Sequence, residues 1–595
     1  MVEPRFRWTF PSVLTPTAAM AAASLGVGIS SRMAAVLASR GAVTPADVSA
    51  WFADPLDGLH DPALLPDAAV LLARVRLARE RSERILVSGD FDADGLTGLT
   101  IMTLALRRFG VAVDPYVPSR LEEGHGLSMA AIDTAIAAGA TLIITVDCGS
   151  TSGTEIAAAN ERGLDVIVTD HHRVPSVLPP ALAVVNPQRA DSIYPDRRLA
   201  GSGVAFKVAQ LILADEPGGP LAALDLADLA TIGSVADIAP VVGENRAIAR
   251  LGLERLRRAP RPGIAALLER AHVVPATVDL ETVSFAIAPR LNAAGRVGEA
   301  LEAARLLLAE DAAEAGVHAD ALEVANLARR DLMKAAVAEA RTAMADEPAD
   351  AAAVIHGPWG VGIVGLVAAR LVEERGRPAV VGAELGGVIR ASCRGDGSMD
   401  LGAALDRCAD LFTRHGGHAG AAGFELPAER WDAFRERFLT LAAETAPADP
   451  RVPIVIDLAL PASDVDYALF RELNGLAPYG PGNPNPLIAV LGLTVTRVRA
   501  ATGGHSQLTL RRDRDVLDGI AFGRADIAAV VREGDRLDVV ARLTSRTFGG
   551  FESLQLDIRD VATSGSHPQA AAILGVGTEQ TANAVRASIP AVGVA

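Results

Sequence analysis

Ile85-Leu86-Val87-Ser88-Gly89-Asp90-Phe91-Asp92-Ala93-Asp94-Gly95 sets three alternate carboxylates directly behind a short apolar run. The arrangement recurs downstream, with Asp147 at the end of Leu142-Ile143-Ile144-Thr145-Val146 and Asp170-His171-His172 at the end of Val166-Ile167-Val168-Thr169. Apolar runs this short read as buried strands, and Ala-rich helical stretches such as Met129 to Ala138 and Ser152 to Arg162 lie between them. Such alternation predicts a parallel sheet with helices on both faces. Open sheets of that kind hold ligands in a crevice beyond the carboxyl ends of their strands, where these acids would converge.

Alternate carboxylates at Asp90 and Asp92 suit a hard divalent cation, because Mg2+ and Mn2+ take oxygen ligands in octahedral arrays. An imidazole such as His171 moves the preference toward Mn2+. Taken alone, Asp-x-Asp-x-Asp-Gly also describes a solvated turn, while the calcium-loop template fails for want of a Glu at the required place. A lone His at a strand end is more often hydrogen-bonded structure than a ligand, but here two adjacent imidazoles follow Asp170.

At ~100–200 residues per domain the 595-residue chain holds several domains, and its half-hydrophobic composition fills real cores. The formal charge of -16 argues against coating nucleic acid or anionic membrane by bulk attraction, yet leaves room for a local basic groove. Lysine occurs only at Lys207 and Lys334, so anion contacts rest on the planar Arg fork. Cys148, Cys393 and Cys408 form no Cys-x-x-Cys pair, which points to neither a disulfide framework nor a zinc knuckle and fits a reducing cytoplasm. Glu3 beside Arg5 and Arg7, and an Ala-rich stretch broken by Gly26, Gly28 and Arg32, make a poor signal peptide and no membrane span. A soluble, cytoplasmic protein without membrane contact is expected.

The chain divides by character into an N-terminal helical segment (1–55), a first α/β domain (56–265) and a connecting helical region (266–345). Residues 300–345 are almost uninterrupted helix formers, predicting one long helix or two in sequence. A second α/β domain (346–448) follows, then a region of β-branched runs and Gly turns (449–563) that predicts a small barrel, and an unstructured tail (564–595).

Four segments together are similar to the signature motifs of the DHH phosphoesterase superfamily. They are Gly89 to Gly95, Thr145-Val146-Asp147-Cys148-Gly149, Thr169-Asp170-His171-His172, and Gly233-Ser234-Val235-Ala236-Asp237-Ile238-Ala239-Pro240. Pro289-Arg290-Leu291-Asn292-Ala293-Ala294-Gly295-Arg296, Gly416-Gly417-His418 and Pro478-Tyr479-Gly480-Pro481-Gly482-Asn483-Pro484 carry the resemblance to its single-strand-specific exonuclease branch. The implied architecture is α/β: a parallel-sheet DHH domain, a long helix, a DHH-associated α/β domain and an oligonucleotide-binding (OB) barrel.

The resemblance implies a two-ion Mn2+ or Mg2+ centre held by Asp90, Asp92, Asp147, His171 and Asp237, with His172 facing the substrate phosphate. Asp147, Asp237 and His172 are then the catalytic set, and Asp94 is left to outer hydrogen bonding. Many members carry His where this chain has Ser88, which puts the first ion in question. Arg120, Arg296, Ser392 and Arg394 are implied to grip a terminal 5′-phosphate, with Arg290, Asn292, Gly417 and His418 also on the substrate. In the barrel, Phe522, Phe548 and Phe551 are candidate base stackers, and Arg511, Arg512, Arg542 and Arg546 candidate phosphate contacts.

The implied reaction is attack of activated water on single-stranded DNA, 5′ to 3′, releasing 5′-mononucleotides in repair and recombination. A single-strand-binding protein or a helicase is the candidate protein partner. Two other readings stay open at this point: a phosphodiesterase of short oligonucleotides or cyclic dinucleotides, and a non-catalytic single-strand-binding replication scaffold.

Overall fold

In the computed structural model, residues 2–567 are described apart from 11–25, 27, 43, 121, 260, 345–350, 448, 450 and 549–550. The chain forms two compact units, residues 55–450 and a second made of the N-terminal 54 residues with those from 451 onward.

Unit 55–450 begins with the parallel sheet that the alternation predicts. Its strands are β1 (Arg84–Gly89), β2 (Ala112–Tyr116), β3 (Ala140–Val146), β4 (Asp165–Thr169) and β5 (Ala183–Val185), in the order β2-β1-β3-β4-β5. Side chains alternate between faces. Ile85, Val87, Leu142, Ile144 and Ile167 pack with helices α1 (Ala93–Phe109) and α2 (Gly201–Leu213), while Leu86, Ile143, Val166 and Val168 pack on the other side with Ile132 and Ile156. Both faces are therefore dry, and the strands read as continuous apolar runs for that reason.

Beyond the sheet come helices α3 (Ala227–Ala236) and α4 (Ala288–Val297), then Leu301–Leu308 and the 32-residue α5 (Ala312–Ala343), so the long helical stretch is two helices in sequence. Asp311 caps α5, its carboxylate accepting from the amides of Ala313 and Glu314. The second α/β layer holds β6 (Ala353–Gly357), α6 (Val361–Arg375), β7 (Ala379–Leu385), β8 (Val388–Arg394), β9 (Arg414–Gly417) and β10 (Ala421–Pro427). Its sheet order is β9-β10-β8-β7-β6, parallel only between β6 and β7.

The other unit is built on β11 (Leu458–Leu460), β12 (Ile488–Ala501), β13 (His505–Arg512), β14 (Asp515–Ala521), β15 (Arg536–Phe548) and β16 (Phe551–Thr563). The order β11-β12-β13-β14-β16-β15 closes through a β12–β15 pairing into a five-stranded barrel. Composition sets residues 1–55 apart as a segment of their own; in the structure residues 1–54 group with the barrel in one compact unit. Helices Ser31–Ser39 and Pro45–Phe52 contribute Met33, Val36, Leu37 and Val48 to the core around Leu469, Val490 and Val539. Strand Arg7–Thr9 pairs with Pro453–Val455, and buried Asp560 accepts from the amides of Arg5 and Phe6 and from the Trp8 indole. Of the tail expected from 564, residues 564–567 form a turn with His567 stacked on Trp8, and 568–595 lie outside the described residues.

Candidate metal centre and phosphate pocket

Strand register brings the acids together. Gly89 pairs with Val146, and Val146 with Thr169, so β1, β3 and β4 end level at one edge of the sheet. The ladder continues one step further: the amides of Asp90, Asp147 and Asp170 donate to Val146, Thr169 and Val185. Three acids thus emerge side by side. Asp147 then turns the chain with φ +62, a conformation that costs a non-glycine residue ~1–3 kcal/mol and persists where the surroundings over-determine it. Gly201 is part of those surroundings, since a Cβ there would sit 2.4 Å from Asp147 Oδ1.

The remaining acids arrive from helix ends. Asp92 caps α1, its Oδ1 accepting from the amides of Asp94 and Gly95. Asp94 is buried and spends both oxygens on the start of α2, Oδ2 on the Gly201 amide at 2.7 Å and Oδ1 on Ser202 at 2.9 Å. Asp237 ends α3, with Oδ2 3.8 Å from His171 Nδ1, while His171 Nε2 lies 3.1 Å from Asp147 Oδ1 and 3.9 Å from Asp94 Oδ2.

Candidate ligand atoms of Asp90, Asp92 and Asp147 lie within 4.8 Å of one another, as do those of Asp94, His171 and Asp237 and those of Asp147, His171 and His172. Burial and then the neighbouring carboxylates Asp90 and Asp94 push Asp92 up to about 6. Burial and Asp94 raise Asp237 to about 7, and Asp147 stands well above the usual carboxylate range for burial and the charges of Asp94, Asp92 and Asp90. Asp90 Oδ1 is buried without a hydrogen bond, and beyond their 3.1 Å approach to each other Asp147 Oδ1 and His171 Nε2 make none either. Orphaned oxygen and nitrogen acceptors among carboxylates that resist ionising together are a donor set fitted to Mn2+ or Mg2+. Ser88, buried with Oγ unbonded, offers that set no imidazole.

His172 stands at the rim. Its Nδ1 lies 2.8 Å from Asp170 Oδ1, which also accepts from the amides of His171 and His172, while Oδ2 accepts from Ser150. Burial alone would raise Asp170, but the bond and charge of His172 overcome it and hold the carboxyl far below its ordinary range. The same bond lifts His172 to about 9, making it a fixed imidazolium at neutral pH.

A cluster of opposite sign lies nearby. Burial, then Arg120, Arg329 and Arg394 with only Asp92 opposing, brings the Arg296 guanidinium down to about 9, and burial also lowers Arg120 and Arg394. Arg296 donates to the Gly362 carbonyl, Arg394 to that of Cys393, and Arg120 lies over the Phe91 ring at 4.6 Å. None of the three makes an ion pair among the described residues. Ser392 is two residues from Arg394 on β8, and Ser392 Oγ and Arg394 Nη2 both border Gly365 of α6.

Other sequence-derived candidates are engaged elsewhere. Arg290 is held by Glu323, with Nε 2.6 Å from Oε2, and by the Ala286 carbonyl. Asn292 Oδ1 accepts from the Ala93 amide and so supports the start of α1. Gly417 and His418 lie exposed on the β9–β10 hairpin, whose Ala421 pairs with Arg394. On the barrel, Arg546 lines a cavity of about 220 Å3 with Arg497, Arg499, Gln507, Thr509 and Asp518, whereas Arg512 is turned to the Leu491 carbonyl. Phe522 is half exposed against His505, and the side chains of Phe548 and Phe551 lie outside the described residues. Sequence reading missed Arg497 and Arg499, which only strand alternation on β12 could have placed together, and His125, which no periodicity marks.

Family models match along the chain: the DHH family, N-terminal domain, at residues 84–234, the DHHA1 domain at 350–444 and the RecJ OB domain at 456–560. The single-stranded-DNA-specific exonuclease RecJ of Bacillus subtilis is 34% identical over 539 residues, 89% of this chain and 68% of its own. Crystal structures of RecJ from Thermus thermophilus with Mn2+ and with Mg2+ superpose with TM-scores of 0.79 and 0.76 at 30% and 29% identity. Each covers 94% of this chain, and 80% and 79% of the respective structure.

Proposed function

The chain belongs to the RecJ family, and on that premise we propose how its two charged clusters serve one reaction. The protein is a metal-dependent hydrolase, an exonuclease specific for single-stranded DNA that uses Mn2+ or Mg2+ in DNA repair. It attacks from a phosphorylated 5′ end and releases 5′-mononucleotides in the cytoplasm. The observation that carries this reading is the pairing of a carboxylate cluster that needs cations with an arginine cluster that needs an anion.

Asp90, Asp92, Asp147, His171 and Asp237 would hold the ions. The chemistry that divalent cations would supply there is acidification of water and neutralisation of charge on the phosphodiester. Asp94 fixes the floor by clamping the start of α2 beneath the acids. His172, kept charged by Asp170, donates to the phosphoryl oxygens where negative charge grows. Arg120, Arg296, Ser392 and Arg394 take the terminal phosphate, each charge-assisted contact worth roughly 1.5–3 kcal/mol. A terminus seated there leaves the first internal phosphodiester for the acid centre, which is how an end-specific enzyme follows from two fixed clusters. Gly417 and His418, exposed on their hairpin, are further substrate contacts, and on the barrel Arg497, Arg499 and Arg546 offer phosphate contacts of their own. A single-strand-binding protein or helicase is the partner class that would deliver such a strand.

One assay tests this. Single strands labelled at the 5′ or the 3′ end are incubated with Mn2+, Mg2+ or chelator. Immediate release of 5′ label as a mononucleotide, dependent on metal, is expected; early release of 3′ label overturns the polarity, and cleavage in chelator overturns the metal centre.

A further inference from the structure

Asp90 divides its two oxygens. Oδ1 is buried and makes no hydrogen bond, Oδ2 lies 3.0 Å from His125 Nδ1, and a ligand atom of Asp90 lies within 4.8 Å of others on Asp92 and Asp147. A neutral imidazole has one N–H, and with Nδ1 at this carboxylate oxygen the pair is matched as donor and acceptor when that N–H is on Nδ1. His125 also packs its ring 4.4 Å from Phe91, the ring that supports Arg120 from elsewhere on the same loop.

The loop that carries His125 is built to hold this contact. The Glu123 carboxylate accepts from Tyr116 Oη, the Ser119 amide and Ser128 Oγ, and the Leu127 amide donates to Ser152 Oγ. Gly126, between the anchor and His125, has φ +99, and a Cβ there would come within 2.8 Å of Ser152 Oγ. A side chain that is 68% exposed and has no core to fill is thus delivered to one buried oxygen of the acid centre.

We infer that His125 is a positioning residue for the cation bound at Asp90. It fixes the rotation of the carboxylate so that Oδ1 alone faces the ion, the kind of outer hydrogen bond whose loss costs ~10–100-fold in metal affinity. The inference rests on the metal-dependent nuclease reading above.

Mn2+ binding to the full chain, followed by titration calorimetry and by the spectrum of free Mn2+, tests it on His125→Ala and His125→Asn. The alanine variant is expected to weaken one binding step about tenfold or more and leave the other in place, with an unchanged melting curve in chelator. Asparagine, which keeps an N–H near the position of Nδ1, is expected to restore most of the affinity. Unchanged affinity in the alanine variant overturns the inference, and so does an asparagine variant as weak as alanine, which would make His125 a ligand. If the unaltered protein hydrolyses single strands with Mn2+, either result counts against His125 alone. Failure of the unaltered protein to bind Mn2+ counts against the nuclease reading itself.

Discussion

The acid centre and the arginine pocket are the same problem solved with opposite signs. In one, burial and mutual repulsion hold Asp92, Asp147 and Asp237 above the usual carboxylate range; in the other, burial brings Arg120, Arg296 and Arg394 down, helped at Arg296 and Arg394 by neighbouring guanidiniums and opposed at Arg120 by Asp92 and Asp90. Neither cluster is neutralised internally, although carboxylates and guanidiniums elsewhere in the chain pair freely, as Arg290 does with Glu323 and Arg189 with Asp67. Like charges kept together mark a place where an external ion completes the structure. The contrast separates binding sites from ion pairs that only hold the fold.

Asp147→Ala breaks the comparison most completely. Cleavage is expected to vanish while the fold persists, read by mononucleotide release and circular dichroism from the same preparation. Asp170→Asn comes next, since it leaves the acid cluster whole and removes the counter-charge that keeps His172 protonated. About 10²-fold loss of kcat is expected, as for other oriented donors at a transition state. The His172 imidazole should then titrate below about 9, so the loss is greater at pH 8 than at pH 6; nuclear magnetic resonance of the ring protons in chelator reads the titration directly.

Arg394→Ala tests the cationic side. A lost contact of roughly 1.5–3 kcal/mol predicts about a ten- to hundredfold fall in preference for 5′-phosphorylated over 5′-hydroxyl strands, with hydrolysis of the hydroxyl strand little changed. The gentlest test is pH. Because Asp92 and Asp237 hold protons in the folded state to about 6 and 7, the native state binds more protons than the unfolded one above pH 4, and metal-free stability falls as pH rises toward 8. Cations that displace those protons should raise the Tm more at pH 8 than at pH 5, by a few degrees, in parallel melts with and without Mn2+. An equal rise at both values removes the crowded-carboxylate account.

Much of this was legible in the residues. Acids at the ends of apolar runs specify their own convergence, because parallel strands in register must end together. The sheet and the barrel follow from strand-like runs and turns, and the two helices in sequence from an almost unbroken stretch of helix formers. Contacts between distant stretches left no such trace. Nothing in Arg290 distinguishes a guanidinium neutralised by Glu323 from Arg394, which makes no ion pair among the described residues, and nothing in Arg5-Phe6-Arg7-Trp8 announces a seat on Asp560, more than five hundred residues away. His125 belongs to the same class, a single side chain in a loop whose meaning appears only when Asp90 is beside it.

The seat on Asp560 also sets a timetable. The N-terminal strand waits for its partner until the ribosome has passed residue 455 and for its buried acceptor until it has passed residue 560, and at ~5–20 residues per second the second delay runs to about half a minute to two minutes. Residues 55–450 carry their own cores and can condense meanwhile, so the enzyme matures from its middle outward. A chain released early keeps its acids but exposes the apolar faces of helices Ser31–Ser39 and Pro45–Phe52, which gives quality control a reason to find it.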